Sequence, residues 1–158
     1  MICNLGTVRL FTLALIALLT SCGSPWSAPP EQAQRDPTTE AWYGQTVSKL
    51  ATIDREAKDL FQKGKGDDAA ALIEKGEPLS TRLLAVQKPT LAATQAASDL
   101  DQLYGQMLFS NRNYGWARLM FQKNVARWKN WKPQTEDTTA RLKLAQTAIA
   151  ECDRKMTE

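Results

Sequence analysis

The residues able to do chemistry in this 158-residue chain are few and poorly matched to catalysis. There is no histidine, which removes serine or cysteine nucleophiles activated through an imidazole and the commonest zinc ligands. Asp99 and Asp101 stand two apart, so on a helix they diverge and make a poor acid–base pair. Asp67-Asp68 and Glu136-Asp137 sit at expected helix starts, where carboxylates satisfy exposed backbone amides. No glycine-rich phosphate loop, metal-ligand cluster or nucleophile motif appears in the sequence. An enzyme working with carboxylates alone would need two of them to converge in a cleft. The expectation is therefore a protein without catalytic residues, metal, cofactor or small-molecule substrate.

The most unusual stretch runs from Asn111 to Pro133. It holds Arg112, Arg118, Lys123, Arg127, Lys129 and Lys132, no acidic residue, and the aromatics Trp116, Phe121, Trp128 and Trp131. Phe121 and Trp128 fall on an apolar stripe and are expected in the core. Trp116, Lys123, Arg127 and Trp131 follow one another at steps of seven, four and four, broadly along another face of a helix. Such a face could take an anionic partner, arginine pairing carboxylate or phosphate and tryptophan supplying contact area. It could equally pack on the third or fifth helix, or lie against anionic headgroups. A cation–π contact between Arg127 and Trp131 would explain the pair without any ligand.

Five helices must position these groups. Asp36-Pro37 is a suitable N-cap and first helical residue, and Tyr43, Val47, Leu50, Ile53, Ala57 and Leu60 then recur on one face. Gly64-Lys65-Gly66 ends that helix and Asp67 is expected to cap the next. Ala69, Leu72, Gly76, Leu79, Leu83 and Val86 keep phase through Pro78, predicting one helix kinked there rather than two. Lys88-Pro89 closes it. Ala93, Ala97, Leu100, Leu103 and Met107 define a third helix, and Ser110 to Asn113 a turn. Tyr114, Ala117, Phe121, Val125 and Trp128 define a fourth, ended by Lys132-Pro133. A fifth runs from about Thr135 with Leu142, Ala145, Ile149, Cys152 and Met156 on one stripe. No useful length alternates with period two, so the fold class is all-α: a stack of helical hairpins or a small bundle.

The amino terminus has a different character. Met1 to Arg9 carries one positive charge, and Leu10 to Leu19 is a ten-residue apolar run, about half of what a membrane-spanning helix needs. Leu19-Thr20-Ser21-Cys22 follows, and it resembles the lipobox of bacterial lipoproteins. The resemblance implies a signal peptide over residues 1–21 and a mature chain beginning at Cys22, with a thioether-linked diacylglycerol and usually an amide-linked acyl chain. Two or more such chains anchor a protein stably where one binds marginally. Residue 23 is Gly rather than Asp, which in that family leans towards the outer membrane, facing the periplasm, if the organism has two membranes. Residues 22–35, rich in Pro, Ser, Ala and Gln, read as a flexible tether to a helical domain over 36–158. Trp26 in the tether could rest among headgroups. Cys3 would leave with the signal and Cys22 would be acylated, so Cys152 remains alone as a small buried hydrophobe or an intermolecular disulfide partner. Arg9 is the only charge removed, taking the net charge from +3 to +2. Such a balance gives no global argument for nucleic acid.

Residues 37–87 and 89–131 look like successive hairpins. In the second, Tyr104-Gly105-Gln106-Met107-Leu108 with Ala117 and Phe121 resembles the tetratricopeptide pattern, in which small residues admit close helix approach and an aromatic fills the gap. Ala57, Leu60, Ala69 and Ile73 echo it 48 residues earlier. The offset exceeds the family's usual period, the leading Trp position holds Asp101, and Pro133 falls late. The resemblance implies stacked hairpins with a terminal capping helix over 135–156. Together these features lead us to expect a lipid-anchored envelope protein acting as a non-catalytic scaffold for an envelope protein partner. The alternative is binding of an anionic polymer or lipid headgroup through the basic aromatic helix 113–132.

Overall fold

The computed structural model describes residues 35–158. The expected signal peptide, the lipidated Cys22 and all of the tether but its last residue lie outside them. Five helices make up the domain: α1 (Ala41–Gln62), α2 (Gly66–Leu84), α3 (Leu91–Ser110), α4 (Tyr114–Asn130) and α5 (Glu136–Thr157), with no strand among the described residues. The all-α expectation holds.

The first start signal is used differently from the expectation. Asp36 does cap Pro37, but the unit it caps is a single 3-10 turn, Pro37–Thr39, held by Thr38 N–H donating to Asp36 Oδ1. Glu40 is extended and α1 begins after it. Asp67 is likewise not a cap: α2 starts at Gly66, and Asp67 and Asp68 sit in its first turn beside the exposed amides. At α5 the cap is Thr135, whose hydroxyl accepts from Thr138 N–H while Thr138 returns the bond, a reciprocal capping box.

Both hairpins turn in the same way. At the end of α1, Gly64 N–H donates to Phe61 O and Lys65 N–H to Leu60 O. At the end of α3, Arg112 N–H donates to Phe109 O and Asn113 N–H to Leu108 O. Each is a Schellman closure needing a left-handed residue just past the helix. Gly64 supplies it at φ +75°, whereas Arg112 adopts φ 62° despite its side chain. The two closures are 48 residues apart, the same step that separates Ala57 from Gly105 and Ala69 from Ala117.

Pro78 lies inside α2, which continues to Leu84 as one helix. Pro78 is exposed, so the Glu74 carbonyl that loses its donor faces water rather than the core. Gly76 is buried: a Cβ there would meet Leu100 at 2.9 Å and Ile53 at 3.3 Å, so its absence lets α2 approach α1 and α3.

α3 is the central helix, packed on α1, α2 and α4, and α5 packs on α4. Ten of its residues are buried, including Ala93, Thr94, Ala96, Ala97, Ser98 and Gly105, over more than half of its circumference. The main core joins Tyr43, Leu50, Ile53, Ile73, Leu83, Leu100 and Leu103, while Ala117, Phe121 and Cys152 form a second cluster between α3, α4 and α5. At Gly105 an added Cβ would lie 2.5 Å from the Phe121 ring, so the small-residue and aromatic pairing expected for the second hairpin is how α3 and α4 meet. Cys152 is fully buried, and burial pushes its thiol above the usual range. Met156, expected on the buried stripe, is instead exposed.

α1, α3 and α5 run parallel. Near the starts of α1 and α3, Thr90 N–H donates to Tyr43 Oη (3.0 Å). Between α3 and α5, Gln95 Nε2 donates to Asp137 (3.0 Å) and Arg141 Nη1 to Asp99 (2.5 Å). One end of the domain thus gathers the starts of α1, α3 and α5 with the ends of α2 and α4.

Candidate functional site

Beyond the polar bridges at Gln95–Asp137 and Asp99–Arg141, α3 and α5 part from about Gln102 and Leu144 onward. They leave a cleft of about 470 Å³ with Phe121 of α4 at its floor, Phe109, Leu144 and Ala148 along it, and Gln102, Gln106, Thr147 and Glu151 around it. Leu144, 53% exposed, adds its apolar side chain to the wall of this cleft, which makes it part of a concave apolar surface rather than a lone exposed leucine. Gln102, Gln106 and Leu144 also line a smaller neighbouring cleft of about 300 Å³ that reaches α1 through Asp54 and Lys58. The two form one groove across α1, α3 and α5.

α1 brings one acid and one base, Asp54 and Lys58, to the groove. Asp54 makes no side-chain hydrogen bond or ion pair among the described residues. Burial, then the nearby Asp99 carboxylate, raises its pKa from 3.8 to about 6, against a smaller opposing pull from Lys58 and Arg141. Asp99 is itself paired with Arg141. Asp101 points elsewhere, so the two carboxylates diverge as their spacing requires.

Of the four basic and aromatic candidates of α4, the two basic ones are drawn into ion pairs with α3. Trp116 is 64% exposed near the start of the helix. Lys123 Nζ donates to Asp101 Oδ1, and Arg127 Nη2 donates to Asp101 Oδ2 (2.9 Å) while its Nη1 donates to Asn124 Oδ1. Asp101 and Arg127 side chains are only 10% and 13% exposed, so this is a nearly buried ion pair bridging α3 to α4. Asn124 and Trp128 complete the seam, donating to the Ser98 carbonyl (3.0 Å) and hydroxyl (2.8 Å). Trp131, beyond α4, meets Trp128 edge-on at 6.3 Å. The cation–π partners in the domain are Arg82 with Trp42 and Arg141 with Trp128, not Arg127 with Trp131. Arg118 is also committed, to Asp153 (2.6 Å). The basic run is therefore partly neutralised by acids on neighbouring helices that a linear reading of residues 111–133 does not see.

Sequence reasoning did not single out Leu144, Gln102, Gln106 or Asp54. The available signal was Leu144 standing one residue off the Leu142, Ala145, Ile149 stripe, which alone is weak. No group of three or more histidine, cysteine or acidic residues able to hold a metal occurs among the described residues. No described helix is long and apolar enough to cross a membrane. Comparison with known families, curated proteins and solved structures finds no match for the chain.

Proposed function

We propose that this protein is a lipid-anchored envelope protein whose helical domain docks a protein partner without catalysing a reaction. Cys22 carries the anchor in this reading, on the strength of Leu19-Thr20-Ser21-Cys22 after an apolar leader. The observation that carries the docking role is the open groove between α3 and α5, with Leu144 left half in water over an aromatic floor. An apolar concavity with a few polar groups around it is suited to seat an apolar side chain. The Asp54 carboxylate, which has no ion-pair partner among the described residues, favours a basic residue beside that anchor against the weaker opposition of Lys58. The preferred occupant is a partner segment carrying one apolar anchor and one basic side chain.

The anionic-polymer reading loses support from the geometry of Lys123 and Arg127, whose charges face Asp101. The docking reading is tested by photo-crosslinking from position 144 in the intact envelope, with Lys75 on the exposed side of α2 as the control position. Capture from 144 that disappears in an otherwise folded Leu144→Asp protein supports it. Equal capture from both positions, or capture indifferent to that substitution, overturns it.

A further inference from the structure

The end of the domain at which residue 35 joins the preceding chain has a composition of its own. It gathers the starts of α1, α3 and α5, the ends of α2 and α4, and the loops at 85–90 and 131–135. Asp36 lies within the field of Lys88, which places the chain's entry beside the α2–α3 loop. Three of the four described tryptophans sit at this end: Trp42, Trp128 and Trp131. Trp42 and Trp131 are half-buried, and Leu91 is exposed beside them. Lys88, Lys129 and Lys132 are exposed here and make no ion pair among the described residues. Of the acids at this end only Asp137 is ion-paired, with Arg141. Asp36 and Glu40 accept from the neutral Thr38 and Trp42 and keep their charge, as does Glu136, so they offset part of the field of the three lysines, to which Arg35 and the Arg82 guanidinium over the Trp42 ring add.

The opposite end differs. Its cations are largely spent on local pairs: Lys63 with Asp59, Arg118 with Asp153, Arg154 with Glu151 and Glu158, and Lys155 with Glu158, while Lys65 and Arg112 in its two turns stay without an ion pair but have no tryptophan beside them in the sequence. Half-buried tryptophans with lysines extended past them are the side chains that settle at a bilayer interface, where the ring meets the headgroup level and the ammonium meets anionic phosphate.

We infer that this end of the domain docks on the surface of an anionic phospholipid bilayer, through Trp42, Trp131 and Leu91 ringed by Lys88, Lys129 and Lys132. The inference rests on the proposed anchor at Cys22. A span of thirteen residues from Cys22 to residue 35 delivers this end to the membrane before any other part of the domain. Each exposed lysine near an anionic leaflet strengthens association about fivefold, and the attraction fades beyond a Debye length. Docked in this way, the domain keeps the α3–α5 groove, which runs from the middle of those helices towards their carboxyl ends, away from the lipid.

The test places the full chain in phosphatidylcholine vesicles, with and without phosphatidylglycerol, and measures acylation of each lysine by a water-soluble reagent, peptide by peptide. Lys88, Lys129 and Lys132 should react about fivefold more slowly on anionic vesicles, recovering near 1 M salt, while Lys65, Lys75 and Lys143 are unchanged. Equal rates on both vesicle types overturn the inference, as does protection of all six lysines alike. Protection by a soluble anionic polymer and not by vesicles overturns it too, and assigns this end to a polymer. The mass of the Cys22 peptide reports the anchor separately: an unmodified Cys22 with the three lysines still protected overturns the anchor and leaves the docking standing.

Discussion

Hairpin one offers a template for dissecting the buried charge in hairpin two. Shifted by 48 residues, Asp101 corresponds to Ile53 in the main apolar core and Arg127 to Leu79, half-buried against it. Replacing Asp101 by Ile leaves Arg127, only 13% exposed, without its carboxylate. Breaking a buried pair from one side costs about 3–5 kcal/mol. The lower figure, about 3 kcal/mol, applies here because Arg127 keeps Asn124 and the half-exposed Lys123 can turn to water. Arg127→Leu alone should cost about 2 kcal/mol, since Asp101 retains Lys123. The double substitution restores the hairpin-one pair and should fall within about 1 kcal/mol of the parent, or above it, a coupling of several kcal/mol. Urea unfolding of the four proteins followed by far-ultraviolet circular dichroism at 222 nm measures the cycle. Single costs below about 0.5 kcal/mol, or a double mutant equal to the sum of the singles, would refute the claim that this seam is a buried ion pair.

Three further outcomes follow from the same structure. Gly105→Ala should destabilise the domain by about 1–3 kcal/mol despite alanine's better helix propensity, because the new methyl meets the Phe121 ring; a gain in melting temperature would contradict the close approach of α3 and α4. Arg112→Gly should stabilise by about 1 kcal/mol, since φ 62° is costly for arginine and free for glycine; a loss of stability would mean that the arginine side chain contributes more than its backbone strain. Asp54 has a folded pKa raised to about 6 from 3.8, so between those values the folded state holds a proton that the unfolded state has released, and this group's contribution to stability falls as pH rises through that window. With the shift discounted for its partial exposure, Asp54→Asn should gain about 1 kcal/mol at pH 7 and nothing near pH 4; an equal effect at both pH values would show that charge is not the cause.

Much of this fold is legible in the sequence because its hairpins obey local rules. Gly64, the periodic apolar stripe of α1 and the Thr135 cap each act within a few residues of themselves, so their effect can be read in place. α3 is less legible. Five of its buried residues, Leu100, Leu103, Met107, Ala93 and Ala97, announce one face, but Thr94, Ser98, Asp101 and Gly105 extend the buried arc to one side of it with little apolar signal. A helix packed on three neighbours uses small residues where backbones come close, and those carry no periodicity. The basic helix misleads for a related reason. Its charge is apparent from residues 111–133 alone, while the acids that answer it, Asp101 and Asp153, lie on other helices. The groove was hidden altogether, because it arises where α3 and α5 part, a property of their placement rather than of either sequence.

The central claim is that an anchored domain meets a protein partner through the α3–α5 groove. The most direct measurement is in-membrane crosslinking from position 144 of the full chain, followed by pull-down, in parallel with the Cys22→Ala form. The account predicts one dominant protein partner, captured at the groove and lost when Cys22 is replaced. Absence of any protein partner, with cell-wall or lipid material retained instead and removed by high salt, would contradict it.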